Sequence, residues 1–247
     1  MSKARLGIAL SLMALSLPLV AGSAGAQEEA DPCIEPPPGA IVGTEGRDVL
    51  RGTPGDDFIV GLGGNDVIFA RQGNDLMAGC QGDDRIHAGD GDDLIAGDDL
   101  SFFGNIGAAG GRDVIFAGTG NDEVLAGPGP DRVLAGPGDD FLALAQGDDK
   151  GNGGDGADTI IGGFGFDRLN GGMGDDFVAG GQNDDRLIGG LGSDFLFGDV
   201  PPPPPGTEPR PGAIDFGLND RCVGGAGDTD TSFDCERNVG VEQIDPE

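Results

Sequence analysis

A period of nine residues constrains this chain more than any other feature. Written in rows of nine from Gly43, the sequence aligns with itself without a gap to Ala96, and again from Ala108 to Phe197, giving sixteen rows. Position six is Asp in every row: Asp48, Asp57, Asp66, Asp75, Asp84, Asp93, Asp113, Asp122, Asp131, Asp140, Asp149, Asp158, Asp167, Asp176, Asp185 and Asp194. Position four is Gly except for Asn183, and position eight is Val, Ile, Leu or Met except for Gly151. Position one is Gly or Ala except for Leu144. With 51 Gly, no Trp or Tyr, and 44 acidic against 14 basic residues, the composition alone would describe a disordered chain. The fixed period overrides that reading, because repeats this short bury their apolar position by stacking on their neighbours.

Each position has a physical role. Glycines at positions one, two and four allow a tight turn through torsions closed to other residues. Positions seven to nine predict a three-residue strand, in which the central side chain points opposite to its neighbours. Position eight therefore faces inward and positions seven and nine outward. Position seven agrees, since it carries Arg85, Glu123, Arg132, Lys150, Arg168 and Arg186, which are costly to bury. Two rows make a coil of eighteen residues, and stacked coils make two parallel sheets over a narrow aliphatic core.

These rows resemble G-G-x-G-x-D-x-U-x, the repeats-in-toxin (RTX) nonapeptide of secreted calcium-binding proteins. The resemblance spans residues 43–197 and implies an all-β, right-handed parallel β-roll, a two-sheet β-helix solenoid. It also implies several Ca2+ ions held between turns of adjacent coils, with the sixteen position-six carboxylates and turn carbonyls as ligands. The chemistry is consistent. Stacked carboxylates repel, and calcium accepts many oxygen ligands in a flexible geometry, whereas magnesium demands a stricter octahedron and keeps its waters. Zinc lacks ligands, because the repeats hold one His and one Cys. Position-five acids such as Asp56, Asp83, Asp139 and Asp175 either assist or simply solvate the surface. Sixteen rows allow fourteen pairings between a row and the next but one. The insertion 97–107 and the row 144–152 are expected to remove some, the latter as a local defect at Leu144 and Gly151. Two aliphatic side chains per coil form a thin core, so calcium is expected to drive folding.

The ends read differently. Residues 1–26 have a basic start (Lys3, Arg5), an apolar run Leu6–Val20 and small residues Ala24-Gly25-Ala26, the layout of a secretory signal peptide and too short for a membrane span. Without them the net charge is 12 − 44 = −32. The chain then divides into an N-terminal cap (27–42), the roll (43–197) with its loop 97–107, a Pro-rich loop (198–216) and a C-terminal disulfide cap (217–247). The register returns once in that cap, at Asn219–Val223, with Cys222 in the inward slot. The ending NDRCVGGAGDTDTSFDCE resembles the terminal cap of secreted proteins of this family, which implies a Cys222–Cys235 disulfide. Cys33 and Cys80 are left to each other, and similar proteins tie the N-terminal segment to an early coil in this way. A free or intermolecular thiol is the alternative.

The function classes narrow accordingly. The charge opposes nucleic acid, nothing after the signal peptide could span a membrane, and no motif specifies a protein or polysaccharide partner. The single His87 cannot build a three-His zinc site, and no G-x-S-x-G elbow appears. The expectation is a secreted, extracellular calcium-binding repeat protein without catalysis. The alternatives are a non-catalytic adhesin or toxin-type module, or the accessory calcium-binding domain of an extracellular enzyme. An ice-binding roll would require outward rows of Thr, and Thr159 stands alone at position seven.

Overall fold

The computed structural model describes Cys33, residues 36–98 and 110–199, and three later strands at 221–223, 231–233 and 237–239. The expected signal peptide (1–26), the Pro-rich loop from residue 200 onward, residues 99–109 and the expected Cys222–Cys235 pairing lie outside the described residues. Every described element is a strand, and no helix is long and apolar enough to cross a membrane among them. Strands alternate between two parallel ten-stranded sheets, the odd-numbered strands in one and the even-numbered in the other. The chain therefore winds as a solenoid, and the register advances by one coil between neighbours, as in Ile59↔Met77 and Ile68↔Ile86. This is the parallel β-roll that the period predicts.

The strands are longer than three residues. Most run for six, from position seven through position three of the next row, as in Phe58–Gly63 and Arg132–Pro137. The turn is confined to positions four to six. Positive φ falls at positions two and four (Gly172 at 126°, Gly174 at 123°), while position one is ordinary strand. Position one requires a small residue for a different reason. Side-chain direction alternates along a strand, so position one faces the core two residues after position eight. Ala70, Ala88, Ala117, Ala126 and Ala135 accordingly pack with the position-eight residues in one continuous cluster.

The row 144–152 is not a defect. Gly151 lies within the strand Lys150–Asp155, whose register is intact on both sides. A β-carbon placed on Gly151 would lie 3.1 Å from Leu144 Cδ1 and 3.3 Å from both Ile160 Cγ2 and Leu169 Cδ2. Leu144, fully buried at position one, fills the volume that position eight vacates. The two departures from the repeat compensate each other across the core.

The insertion is also placed differently. The chain holds register through Gly97 and Asp98, whose N–H groups donate to Leu125 and Ala126 carbonyls. These two residues occupy positions one and two, and Gly110 resumes at position three. The eleven-residue insertion is thus displaced by two residues from 97–107, because Gly97 and Ala108 fit the same small slot. Across it Arg85 pairs with Val114 and Leu94 with Glu123. The stack also continues past residue 197 more than once. Arg221–Val223, Thr231–Phe233 and Arg237–Val239 all add to the sheets, and Cys222 pairs with Leu187 at the position-eight register.

Position nine faces outward, yet on one sheet it is buried. Val60, Ala78 and Ala96 form a second small cluster with Cys80, against which Cys33, Phe58 and Leu62 pack. Cys33 is joined there to Cys80 by a disulfide with Cα atoms 5.9 Å apart. The N-terminal segment is thereby fastened to the outside of the first coils.

Candidate metal centre

All sixteen position-six aspartates assemble into two ladders, one along each turn edge. In each rung the backbone N–H of one Asp donates to Oδ1 of the Asp one coil further on. The first ladder runs Asp48, Asp66, Asp84, Asp113, Asp131, Asp149, Asp167, Asp185. The second runs Asp57, Asp75, Asp93, Asp122, Asp140, Asp158, Asp176, Asp194. All fourteen rungs form, at 2.7–3.0 Å. Neither the insertion nor the row at Leu144 removes one, contrary to the sequence expectation. The carbonyl of each rung closes the same connection by accepting the position-seven N–H of the next coil, as Asp149 does from Arg168 at 2.9 Å.

The second carboxylate oxygen has a different environment. Oδ2 of Asp66, Asp75 and Asp84, and of every ladder member from Asp113 to Asp176, is buried without a hydrogen-bond partner. It lies against position one of its own row. A β-carbon on Gly61 would sit 2.5 Å from both Asp66 Oδ2 and the carbonyl oxygen of Gly79 in the next coil. A carboxylate oxygen and a backbone carbonyl thus line a small, oxygen-walled cradle at levels whose position one is Gly, as at Gly61, Gly79, Gly162 and Gly171. Among the described residues no group of three or more His, Cys, Asp or Glu side chains converges as a ligand set. Any cation held here would have to complete its shell with carbonyls, which suits a hard ion with oxygen ligands and excludes the thiolate and imidazole chemistry of zinc.

Burial governs the acidity of these groups. Desolvation raises the carboxyls of Asp66, Asp75, Asp84 and the ladder members from Asp113 to Asp176, like-charged neighbours raise most of them further, and the bond from the preceding coil's N–H lowers them only in part. Asp140, Asp158 and Asp167 rise to about 6 and Asp84, Asp131 and Asp176 to about 7. Asp122 and Asp149 rise to about 8, and Asp113 to about 9. Asp113, the highest, neighbours Asp98 as well as Asp131 and Asp84.

Asp98 escaped the sequence reading. It is 7% exposed, its Oδ1 accepts the Gly111 N–H at 3.2 Å, and its charge raises both Asp84 and Asp113. Its signal was the alternative alignment of Gly97-Asp98 with positions one and two. Position five is solvent-facing, as the sequence reading allows, but it does more than solvate the surface. Asp56, Asp92, Asp139, Asp148 and Asp175 are exposed, yet each accepts a backbone N–H from the next coil at 2.9–3.1 Å. They fasten successive turns together besides solvating them. His87 is stacked between Phe69 and Phe116, with ring centroids 4.9 and 4.7 Å away. Desolvation, then Arg85, lowers its pKa.

Among curated proteins none matches the chain. A family profile for the RTX calcium-binding nonapeptide repeat (4 copies) matches residues 42–77, 78–99, 108–142, 116–151, 152–187 and 171–200. The matched segments cover more than half of the chain and coincide with the laddered coils, and the chain therefore belongs to the RTX calcium-binding nonapeptide repeat family.

Proposed function

We propose that this chain is a secreted protein whose β-roll folds on binding several calcium ions between adjacent coils, and that its role is structural or binding without catalysis. The sixteen position-six aspartates supply the carboxylate ligands, and carbonyls of the neighbouring turns supply the remainder. One observation carries this reading: two unbroken ladders in which, at Asp66, Asp75, Asp84 and every member from Asp113 to Asp176, one carboxylate oxygen is bonded and the other is buried without a hydrogen bond. Buried, uncompensated charge is strongly unfavourable. A bound calcium ion would supply the missing positive charge. The chain's part is to hold the carboxylates at a fixed spacing, to shield them from water, and to present carbonyls beside them.

Binding and folding are linked here because the cradle exists only when two coils are stacked. An unfolded chain has carboxylates but no cradle, so calcium stabilises the folded state by mass action. The Cys33–Cys80 disulfide supports an oxidising destination, as does the export-type leader read from residues 1–26. Circular dichroism of the mature protein, titrated from excess chelator into millimolar calcium with magnesium as control, tests the proposal. A cooperative gain of β signal with calcium alone is expected. Full β signal in chelator, unchanged by calcium, would show that the roll stands on its core and disulfide.

A further inference from the structure

Threonine holds position two in the first two rows alone, as Thr44 and Thr53, and these two rows form the two turns of the first coil. Both threonines bond the carboxylate of their own turn. Asp48 Oδ2 accepts the Thr44 N–H at 2.6 Å and the Thr44 hydroxyl at 2.8 Å. Asp57 Oδ2 accepts the Thr53 N–H at 2.5 Å. The two hydroxyls are held in turn by the N–H groups of Gly46 and Gly55, at 3.2 and 3.3 Å, the local closure that Ser and Thr side chains make with their own backbone.

Later turns are built differently. From the third row onward position two is left-handed in most rows, even where it carries a side chain: φ is 80° at Leu62, 97° at Arg71, 77° at Cys80 and 79° at Ala145. Residues with a β-carbon avoid that region, so these rows accept strain to keep the turn. Thr44, Gly46, Thr53 and Gly55 all stay outside it. The left-handed torsion aims the position-two N–H at the next coil and away from its own carboxylate, as Cys80 shows by donating to the Gly97 carbonyl at 2.9 Å. In the rows of Leu62, Arg71, Cys80 and Ala145, Oδ2 of Asp66, Asp75, Asp84 and Asp149 is left buried and without a hydrogen bond.

The first coil carries the same oxygen-walled cradle. A β-carbon on Gly52 would lie 2.7 Å from Asp57 Oδ2 and 2.6 Å from the carbonyl oxygen of Ala70. What differs is the group that meets the carboxylate oxygen, a threonine donor. Asp48 and Asp57 are also half-buried, whereas Asp66 and Asp75 in the next coil are buried. Water reaches the first pair, so hydrogen bonds satisfy a charge that deeper levels must bury. A solenoid needs such a self-sufficient level at its end, where stacking partners run out.

We propose that Thr44 and Thr53 set where the calcium array begins: their donors fill the place that a cation takes at later levels, so the first coil closes both turns without metal and is the weakest calcium level of the roll. Calcium reaches Asp48 and Asp57 only by displacing these charge-assisted bonds. The inference rests on the calcium reading and adds to it the residues that grade the sites along the stack.

The test uses the full mature chain, dialysed to equilibrium at free calcium levels from micromolar to millimolar. Bound calcium is counted by elemental analysis, and the β signal is recorded at each level. Thr44→Gly/Thr53→Gly removes the hydroxyls and gives the first coil the position-two residue of the later rows. At equal β signal and equal free calcium it should bind more calcium per chain than the parent. Thr44→Ser/Thr53→Ser keeps every donor and should bind as the parent does. An equal count for the glycine pair and the parent overturns the proposal, and so does a serine pair that gains calcium as the glycine pair does. If the glycine pair lost its β signal in saturating calcium, Thr44→Gly alone would be measured, with a smaller gain expected and no gain overturning the proposal. Failure of the calcium reading looks different, because the parent would then bind no calcium at any level, and this inference would fall with it.

Discussion

A carboxylate that is at most 3% exposed and keeps one oxygen unbonded presents the folded chain with a choice between a proton and a cation. Desolvation raises Asp84 and the ladder carboxyls from Asp113 to Asp176 to values between about 6 for Asp140 and about 9 for Asp113, against about 4 in an unfolded chain. Between those limits the folded roll binds more protons than the unfolded chain, so without calcium its stability falls as pH rises. The protonation contribution is fully present below about pH 4 and is lost progressively as pH passes through the raised values. In excess chelator, circular dichroism should show a residual β signal that is largest in mild acid and declines toward mild alkali. In saturating calcium the melting temperature should instead rise with pH on the acid side, because protons and calcium compete for the same oxygens. A β signal in chelator that is flat with pH would show that the ladder carboxyls are hydrated and ionised throughout.

At the scale of the strand, the informative pair is Leu144 and Gly151. Each departs from the repeat, and together they conserve core volume. Gly151→Ile alone would drive a side chain into Leu144, Ile160 and Leu169, and such overpacking costs about 1–3 kcal/mol. Leu144→Gly alone would empty a fully buried site, at about 2–5 kcal/mol. Combining them restores the consensus row and should recover most of the loss, so the effects of the two substitutions are far from additive. Urea midpoints of the four proteins in saturating calcium measure the coupling. Additive losses would mean that the two side chains do not share one volume. The same packing explains Ala at position one elsewhere, where a methyl fits beside a neighbouring aliphatic but a longer chain does not.

For the whole molecule, the roll is quasi-one-dimensional, with each coil touching only its neighbours and cooperativity passing along the stack. Fraying therefore begins at the ends. The Cys33–Cys80 disulfide closes 47 residues at the N-terminal end, and cross-linking a loop of that size stabilises by about 4 kcal/mol where chain entropy dominates. Cys33→Ser/Cys80→Ser should lower the calorimetric melting temperature of the calcium-loaded protein while leaving the calcium-induced gain of β signal intact. Loss of the calcium response would mean that the first coils nucleate the rest. The faces of the rod also differ at this scale. One sheet carries a cationic row at position seven, the other an apolar outer surface partly covered by the N-terminal segment, and both edges carry the aspartate ladders.

The nine-residue period by itself determined the parallel roll, the inward position eight and the membership of both ladders, because each follows from alternation and stacking with no long-range information. The position-six aspartates were legible for the same reason. Tertiary structure alone decided whatever depends on two distant rows meeting. Leu144 compensates Gly151 only because the two sheets face each other across one core. Asp98 joins Asp84 and Asp113 only because Gly97 takes a slot that Ala108 would fill equally well in sequence. Arg132, Lys150, Arg168 and Arg186 form a row only because alternate rows, not consecutive ones, become neighbours. A periodic sequence dictates what each position does within its coil, whereas the contacts between coils and sheets set which exceptions cancel and which surfaces emerge.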